Sequence, residues 1–112
     1  MDMISLTAVE LGKKIQAKEI SAREAAEAAF AQIDRVEADV HSYVTIDREG
    51  ALKRADEVQK LIDKGVLTGP LAGVPVAIKD NMCTKDMLTT CSSRILGDFK
   101  PTFTAEAVQN LE

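Results

Sequence analysis

The sequence has little from which a metal site or a disulfide framework is built: two cysteines and one histidine in 112 residues. Cys83 and Cys91 do not form a CxxC pair, and His41 lies far from both in sequence. The soft ligands of a four-coordinate zinc site are therefore missing. Two reduced thiols in a cytosolic protein are the expected state. A basic block is also absent, with 14 Lys and Arg set against 18 Asp and Glu for a formal charge of -4. A chain that tracks a phosphate backbone needs clustered positive charge, so nucleic-acid binding by this chain alone is not expected. No apolar run approaches the roughly 20 residues that span a bilayer. The opening MDMISLTAVELGKK lacks a cationic start, an apolar middle and a small-residue cleavage site, so no secretory signal is expected. What remains is a chain 46% hydrophobic, enough for one small domain with a modest core and too short for two full ones.

Apolar residues Ile4, Ala8, Leu11 and Ile15 follow a 4-3-4 spacing that keeps one helical face dry while Lys13, Lys14 and Lys18 stay wet. Thr7 and Glu10 have capping-box spacing, and Ser5 offers an earlier start. A second helix opens at Ser21 and Glu24, again a capping box, and carries Ala22, Ala26, Ala29, Ile33, Val36 and Val40 on one stripe. These two are expected to pack as a helical hairpin over 1–40. HSYVTID, from His41 to Asp47, changes the period to two and suits a short strand. Asp47 then caps a third helix with Leu52, Ala55, Val58 and Ile62 on its face and Gly65 at its left-handed stop. VPVAIKD follows as a second strand, so 41–80 reads as a strand, helix, strand crossover with both strands in one sheet. The segment 81–112 is loop-rich and ends in AEAVQNLE, about two turns of helix with Thr104 in the capping position. A helix begun and not finished points to a longer parent, of α/β class.

Strand alternation puts Val74, Val76 and Ile78 on one face and Pro75, Ala77 and Lys79 on the other. Lys79 thus shares its face with small side chains, which leaves room for another segment to cover the ammonium. Desolvation there favours the neutral amine and makes a usable proton acceptor. The plainer reading of the same residues is a polar strand end turning into solvent.

GPLAGVPVAIKDN (69–81) followed by TTCSSRIL (89–96), behind the helical leader MISLTAVELGKKI and with HSYVTID, resembles the amino-terminal part of the amidase signature family, and most of all its glutamine-dependent tRNA amidotransferase branch. The likeness runs along essentially the whole chain. It implies an incomplete piece of an α/β/α fold, with Lys79 as the base of a Ser, cis-Ser, Lys triad that hydrolyses glutamine through an acyl-enzyme and releases ammonia. It also implies partner subunits of the B and C type, misacylated tRNA (Glu-tRNA(Gln) or Asp-tRNA(Asn)) as the acceptor, ATP and magnesium used by the full complex with neither site in this segment, and a cytoplasmic setting. The family keeps both triad serines in a glycine- and serine-rich signature that this sequence does not contain, so the chain alone is expected to be inactive.

Other readings stand beside this one. Ser92 and Ser93 are adjacent but lack the flanking glycines of a nucleophile turn. With Lys79 they would make a small self-sufficient Ser-Lys hydrolase. A fragment of another amidase-family hydrolase and a non-enzymatic interaction module are the remaining alternatives. GPLAG is a turn rather than a phosphate loop, since no GK[ST] follows it. Met82, Cys83 and Met87 are gap-filling apolar residues or the lining of a pocket, and His41 is a junction residue. Val74, Val76 and Ile78, together with Ala107, Val108 and Leu111, make a large uncovered apolar set, so the chain is expected to self-associate.

Overall fold

The computed structural model describes residues 2–112, and they form two compact units, one running to Pro75 and the other covering Val76–Glu112. In the first unit a single 3-10 turn, Met3–Ser5, precedes three helices: α1 (Ala8–Gln16), α2 (Ala22–Val40) and α3 (Arg48–Asp63). Each start is set by a side chain that takes an orphan backbone N–H. Thr7 and Glu10 close a full capping box on α1, and Ser21 and Glu24 close another on α2. The Asp47 carboxylate accepts from the Gly50 N–H at 3.0 Å to cap α3. The ends are equally explicit. Gly65, at φ 70, donates to the Ile62 carbonyl while Val66 donates to that of Leu61, both at 3.0 Å, closing a Schellman motif behind α3. Lys18 occupies the equivalent left-handed position behind α1, and His41, at φ 51, ends α2 as a junction residue.

Leu11 and Ile15 of α1, Ile20, Ala25 of α2, and Val58 and Ile62 of α3 make one core, with Met3, Leu6, Leu67, Ala72 and Val74 packed on its margin. Ile15 is fully buried, and burying such a side chain stabilises by about 1.5 to 3 kcal/mol. Ile4, expected on the same stripe, sits in the 3-10 turn and is exposed, while Met3 and Leu6 reach the core in its place. Along its length α2 pairs chiefly with α3 rather than with α1. The pairing is antiparallel: the Ala22 N–H donates to Gln59 Oε1 at 2.9 Å and Arg23 meets Asp56 at 2.7 Å near one end. At the other end Arg48 meets Asp34 at 2.6 Å and lays its guanidinium over the Phe30 ring, 4.7 Å from the centroid. The alanine-lined first half of α2 permits this approach, since Ala22, Ala25 and Ala26 are all buried. Gly12 permits a second, because a Cβ there would stand 2.0 Å from the Pro70 carbonyl oxygen.

The expected strand, helix, strand unit does not form, and with it goes the α/β class for the described residues: they are helical with no strand. A strand exists only where a neighbour exchanges backbone hydrogen bonds with it. Residues 41–47 find no such neighbour. The Tyr43 N–H is taken instead by the Glu37 carboxylate at 2.6 Å, and Tyr43, Val44 and Ile46 stay exposed. Residues 74–79 also lack a partner strand, so the two-faced alternation dissolves. Val74 packs against the helical core, Val76 is exposed, and the Lys79 carbonyl accepts from the Met82 N–H at 3.0 Å, turning the chain at the point where the strand was expected to end.

The second unit is loop crossed by hydrogen bonds. Asp86 N–H donates to the Pro101 carbonyl and Thr89 N–H to that of Phe99, both at 3.0 Å, and Ala105 N–H donates to that of Cys83 at 2.8 Å. Thr89, Pro101 and Val108 are its buried side chains. The helix α4 (Glu106–Gln109) is one turn long and begins from Ala105 without a side-chain cap. Thr104, the expected cap, spends its hydroxyl as acceptor for the Lys85 N–H at 3.0 Å.

Candidate functional site

Lys79 lies in the second unit and is exposed; the covering expected for a lysine among small side chains is not in place. Its ammonium makes no hydrogen bond or ion pair among the described residues. Its backbone is another matter. The lysine carbonyl is held by the Met82 N–H, and the next residue, Asp80, is tied to the Thr90–Ser92 turn at four points. The Asp80 carbonyl accepts from the Cys91 N–H at 3.0 Å. The Asp80 carboxylate accepts from the Thr90 N–H at 2.9 Å, from the Thr90 hydroxyl in a short bond, and from the Ser92 N–H at 3.5 Å.

These bonds favour the charged carboxylate. The Thr90 hydroxyl first, then the Thr90 amide, hold the Asp80 carboxyl below the usual carboxylate range, with the Ser92 amide adding to them and desolvation opposing. The turn they hold is strained: Cys91 and Ser92 both stand in the left-handed region, at φ 50 and φ 59. For residues with a Cβ that conformation costs about 1 to 2 kcal/mol each, so it persists only where surrounding bonds impose it. The Thr90 and Ser92 N–H groups of this turn converge on the Asp80 carboxylate as a small amide cradle, with the Cys91 N–H between them on the Asp80 carbonyl.

The two adjacent serines differ in role. Ser93 Oγ accepts from the Ile95 N–H at 3.3 Å and caps the 3-10 turn Arg94–Leu96, a structural assignment for its hydroxyl. Ser92 is exposed and uses its N–H, not its hydroxyl, in the bonds described above. Among the described residues neither hydroxyl is hydrogen-bonded to Lys79, so the nucleophile-to-base bond of a self-sufficient Ser-Lys hydrolase is not made. Cys83 and Met87 are half-buried and Met82 is exposed; Cys83 enters the hydrogen bonding only through its carbonyl. Both cysteines are free thiols.

Sequence reasoning missed the tie between Asp80 and Thr90. No periodicity pairs residues ten apart in a loop, and the only local sign is a carboxylate directly behind the lysine with a threonine ahead of CSS.

Among the described residues no group of three or more His, Cys, Asp or Glu is placed to hold a metal ion. The GPLAG stretch closes as a turn, with Ala72 N–H on the Gly69 carbonyl at 3.1 Å, and no helix follows to receive a phosphate. No helix among the described residues is long and apolar enough to cross a membrane.

Set beside known proteins, the chain is 67% identical over all 112 of its residues to the A-type subunit of the glutamyl-tRNA(Gln) amidotransferase of Agathobacter rectalis, covering 22% of that protein. It is 57% identical over its full length to the subunit of the same name from Lachnospira eligens and 51% identical to that from Carboxydothermus hydrogenoformans, covering 23% of each. The chain therefore spans less than a quarter of the length of these curated relatives. The Amidase family model matches residues 24–112, most of the sequence and all of the lysine-bearing second unit. The GPLAGVPVAIKDN and TTCSSRIL stretches, the Lys79 turn and the Asp80 clamp all lie within that match: the chain belongs to the Amidase family.

Proposed function

We propose that this chain is the lysine-bearing part of the glutamine-hydrolysing, A-type subunit of a tRNA amidotransferase, and that Lys79 is the base of its triad. The observation that carries this reading is the 67% identity along the whole chain to a subunit of that name, together with a lysine whose backbone is held on its C-terminal side by the Met82 turn and the Asp80 clamp. In this reading the Lys79 amine takes the proton of a nucleophilic serine through a bridging serine, the serine attacks the glutamine side-chain amide, and ammonia leaves as the acyl-enzyme forms. Water then releases glutamate. The ammonia serves a cytoplasmic complex with B- and C-type subunits that converts Glu-tRNA(Gln) or Asp-tRNA(Asn) to the amidated form. ATP and magnesium belong to the activation of the misacylated tRNA, and no step of this segment's chemistry runs through them.

Neither hydroxyl at Ser92 or Ser93 is arranged as a nucleophile, which supports a silent 112-residue chain. In the full-length subunit, Lys79→Ala should lower ammonia release from glutamine by about 100- to 10,000-fold, the range lost with a general base. Unchanged release would overturn the reading. Incubating the 112-residue chain with glutamine tests its silence, which ammonia production above its own Lys79→Ala control would disprove. Of the apolar set expected to be uncovered, Val108 is buried and Val74 packs on the helical core, while Val76 and Leu111 are exposed. These two, with exposed Ile95, Phe99 and Phe103, support self-association of the isolated chain, although no strand edge among the described residues contributes to it. Sedimentation across a wide concentration range should give a rising mass, and a single monomeric species throughout would refute association.

A further inference from the structure

Lys79 presents a long flexible side chain, and a base on such a stem is useful only if its root is fixed, because small misplacements of a catalytic group are costly in rate. The root here is fixed by its neighbour. All four bonds from residue 80 go to one short turn: the carbonyl to the Cys91 N–H, and the carboxylate to the Thr90 N–H, the Thr90 hydroxyl and the Ser92 N–H. Thr90 has further ties, since its Oγ1 accepts from the Ser92 N–H at 3.2 Å and its carbonyl from the Ser93 N–H at 2.8 Å. The clamp thus joins the lysine's peptide to a turn whose own conformation is left-handed at two consecutive residues.

We propose that Asp80 is a positioning residue for Lys79: its carboxylate, seated in the amide cradle of the Thr90–Ser92 turn, sets the direction in which the lysine leaves the backbone, and Thr90 is its principal partner. This rests on the reading of Lys79 as the triad base. Asp80 touches no reacting atom in this role. It acts through the backbone it shares with the lysine, and the strained turn is retained because it supplies the donors that orient the carboxylate.

The experiment compares Asp80→Asn, Thr90→Val, the double variant and Lys79→Ala in the full-length protein in complex with its partners, following glutamine hydrolysis across pH. Asp80→Asn should lower kcat by about 10- to 100-fold, the scale of a misplaced catalytic group, with KM changed less than about twofold, as for a group acting only on the chemical step. The acid limb of the kcat profile, which reports the base in the bound state, should move, because a redirected lysine meets different surroundings. The double variant should be no worse than Asp80→Asn alone, since both changes open one clamp. A kcat and an acid limb matching the wild type in Asp80→Asn would overturn the proposal. So would a lower kcat with the limb unmoved, the mark of a smaller folded fraction. If Asp80→Asn does not fold, Thr90→Val, which removes the hydroxyl's bond to Asp80 and its acceptance from the Ser92 N–H but leaves both amide bonds to the carboxylate, decides by the same two criteria. An inactive Lys79→Ala beside unchanged Asp80→Asn and Thr90→Val sinks this inference alone, whereas an active Lys79→Ala sinks the underlying reading and this inference with it.

Discussion

In the unit that runs to Pro75, capped helices bring Leu11, Ile15, Ala25, Val58 and Ile62 onto a common dry core, whereas in Val76–Glu112 the buried side chains are Thr89, Pro101 and Val108 and the chain is held by hydrogen bonds that cross between loops. The helices of the first unit are set by caps and apolar positions that repeat three and four residues apart, before they pack on one another. The second depends on pairs such as Asp80 with Thr90 and Lys85 with Thr104, ten and nineteen residues apart. Stability sits mainly in the first, because apolar burial adds up while a hydrogen bond exchanged with water nets only about 0.5 to 1.5 kcal/mol. The candidate chemistry sits in the second. The unit that carries Lys79 is the one with the smaller core, and its geometry rests on a few polar bonds.

That contrast is broken most directly at Ile15, the fully buried centre of the helical core. Ile15→Ala should cost about 2 to 5 kcal/mol, read as a lower urea midpoint by far-UV circular dichroism; a midpoint matching the parent would mean the helical unit is not held by its core. Gly12→Ala comes next, since the new Cβ would meet the Pro70 carbonyl oxygen at 2.0 Å and backbone cannot step aside as a side-chain tip does. A loss of about 1 to 3 kcal/mol is expected for this overpacking. Calorimetry would detect it, and an unaltered melting temperature would contradict the close approach. Ser21→Ala removes the hydroxyl that accepts from the Glu24 N–H at 3.1 Å and should cost about 1 kcal/mol, with fraying confined to the first turn of α2 in amide exchange.

Acid sharpens the comparison, because both units rely on carboxylates held in the charged form. The Thr7 amide and hydroxyl lower the Glu10 pKa, and the Ser21 amide and hydroxyl lower that of Glu24, while the Thr90 hydroxyl and amide lower that of Asp80. A carboxyl depressed in the folded state contributes stability above its unfolded pKa, near 3.9 for Asp and 4.3 for Glu, and the contribution is lost as pH falls through the lower folded value. The helical unit keeps its apolar core when its boxes open. The loop unit loses the bonds that hold its turn. Amide exchange followed from pH 5 downward, as an order-of-magnitude window about these values, should therefore release the Thr90 and Ser92 amides before those of Leu11 to Ile15, and the reverse order would remove the contrast. The smallest effect belongs to Ile95→Ala in the loop unit. At 94% exposed its loss should move stability by no more than about 0.5 kcal/mol, and a larger change by chemical denaturation would reveal packing on that side chain.

The three helices, both capping boxes, the Asp47 cap and the Gly65 stop were all determined by the sequence itself, because each is a bond between residues within one or two turns and the information lies in short windows. The lysine at position 79 was legible as a candidate for the same reason, as part of a contiguous stretch. The tertiary structure decided what such windows do not contain. HSYVTID and VPVAIKD have strand composition, yet a strand is a property of two segments, and neither found a second. The longitudinal partner of α2 is α3, not α1, with Ala22, Ala25, Ala26 and Phe30 of α2 buried and Arg23 and Arg48 meeting Asp56 and Asp34 at the two ends of the pair. Thr104 bonds to Lys85 in place of its own helix, and the carboxylate after the lysine settles on a turn ten residues on. Loop hydrogen bonds have no period, so only the folded backbone determines which donor reaches which acceptor.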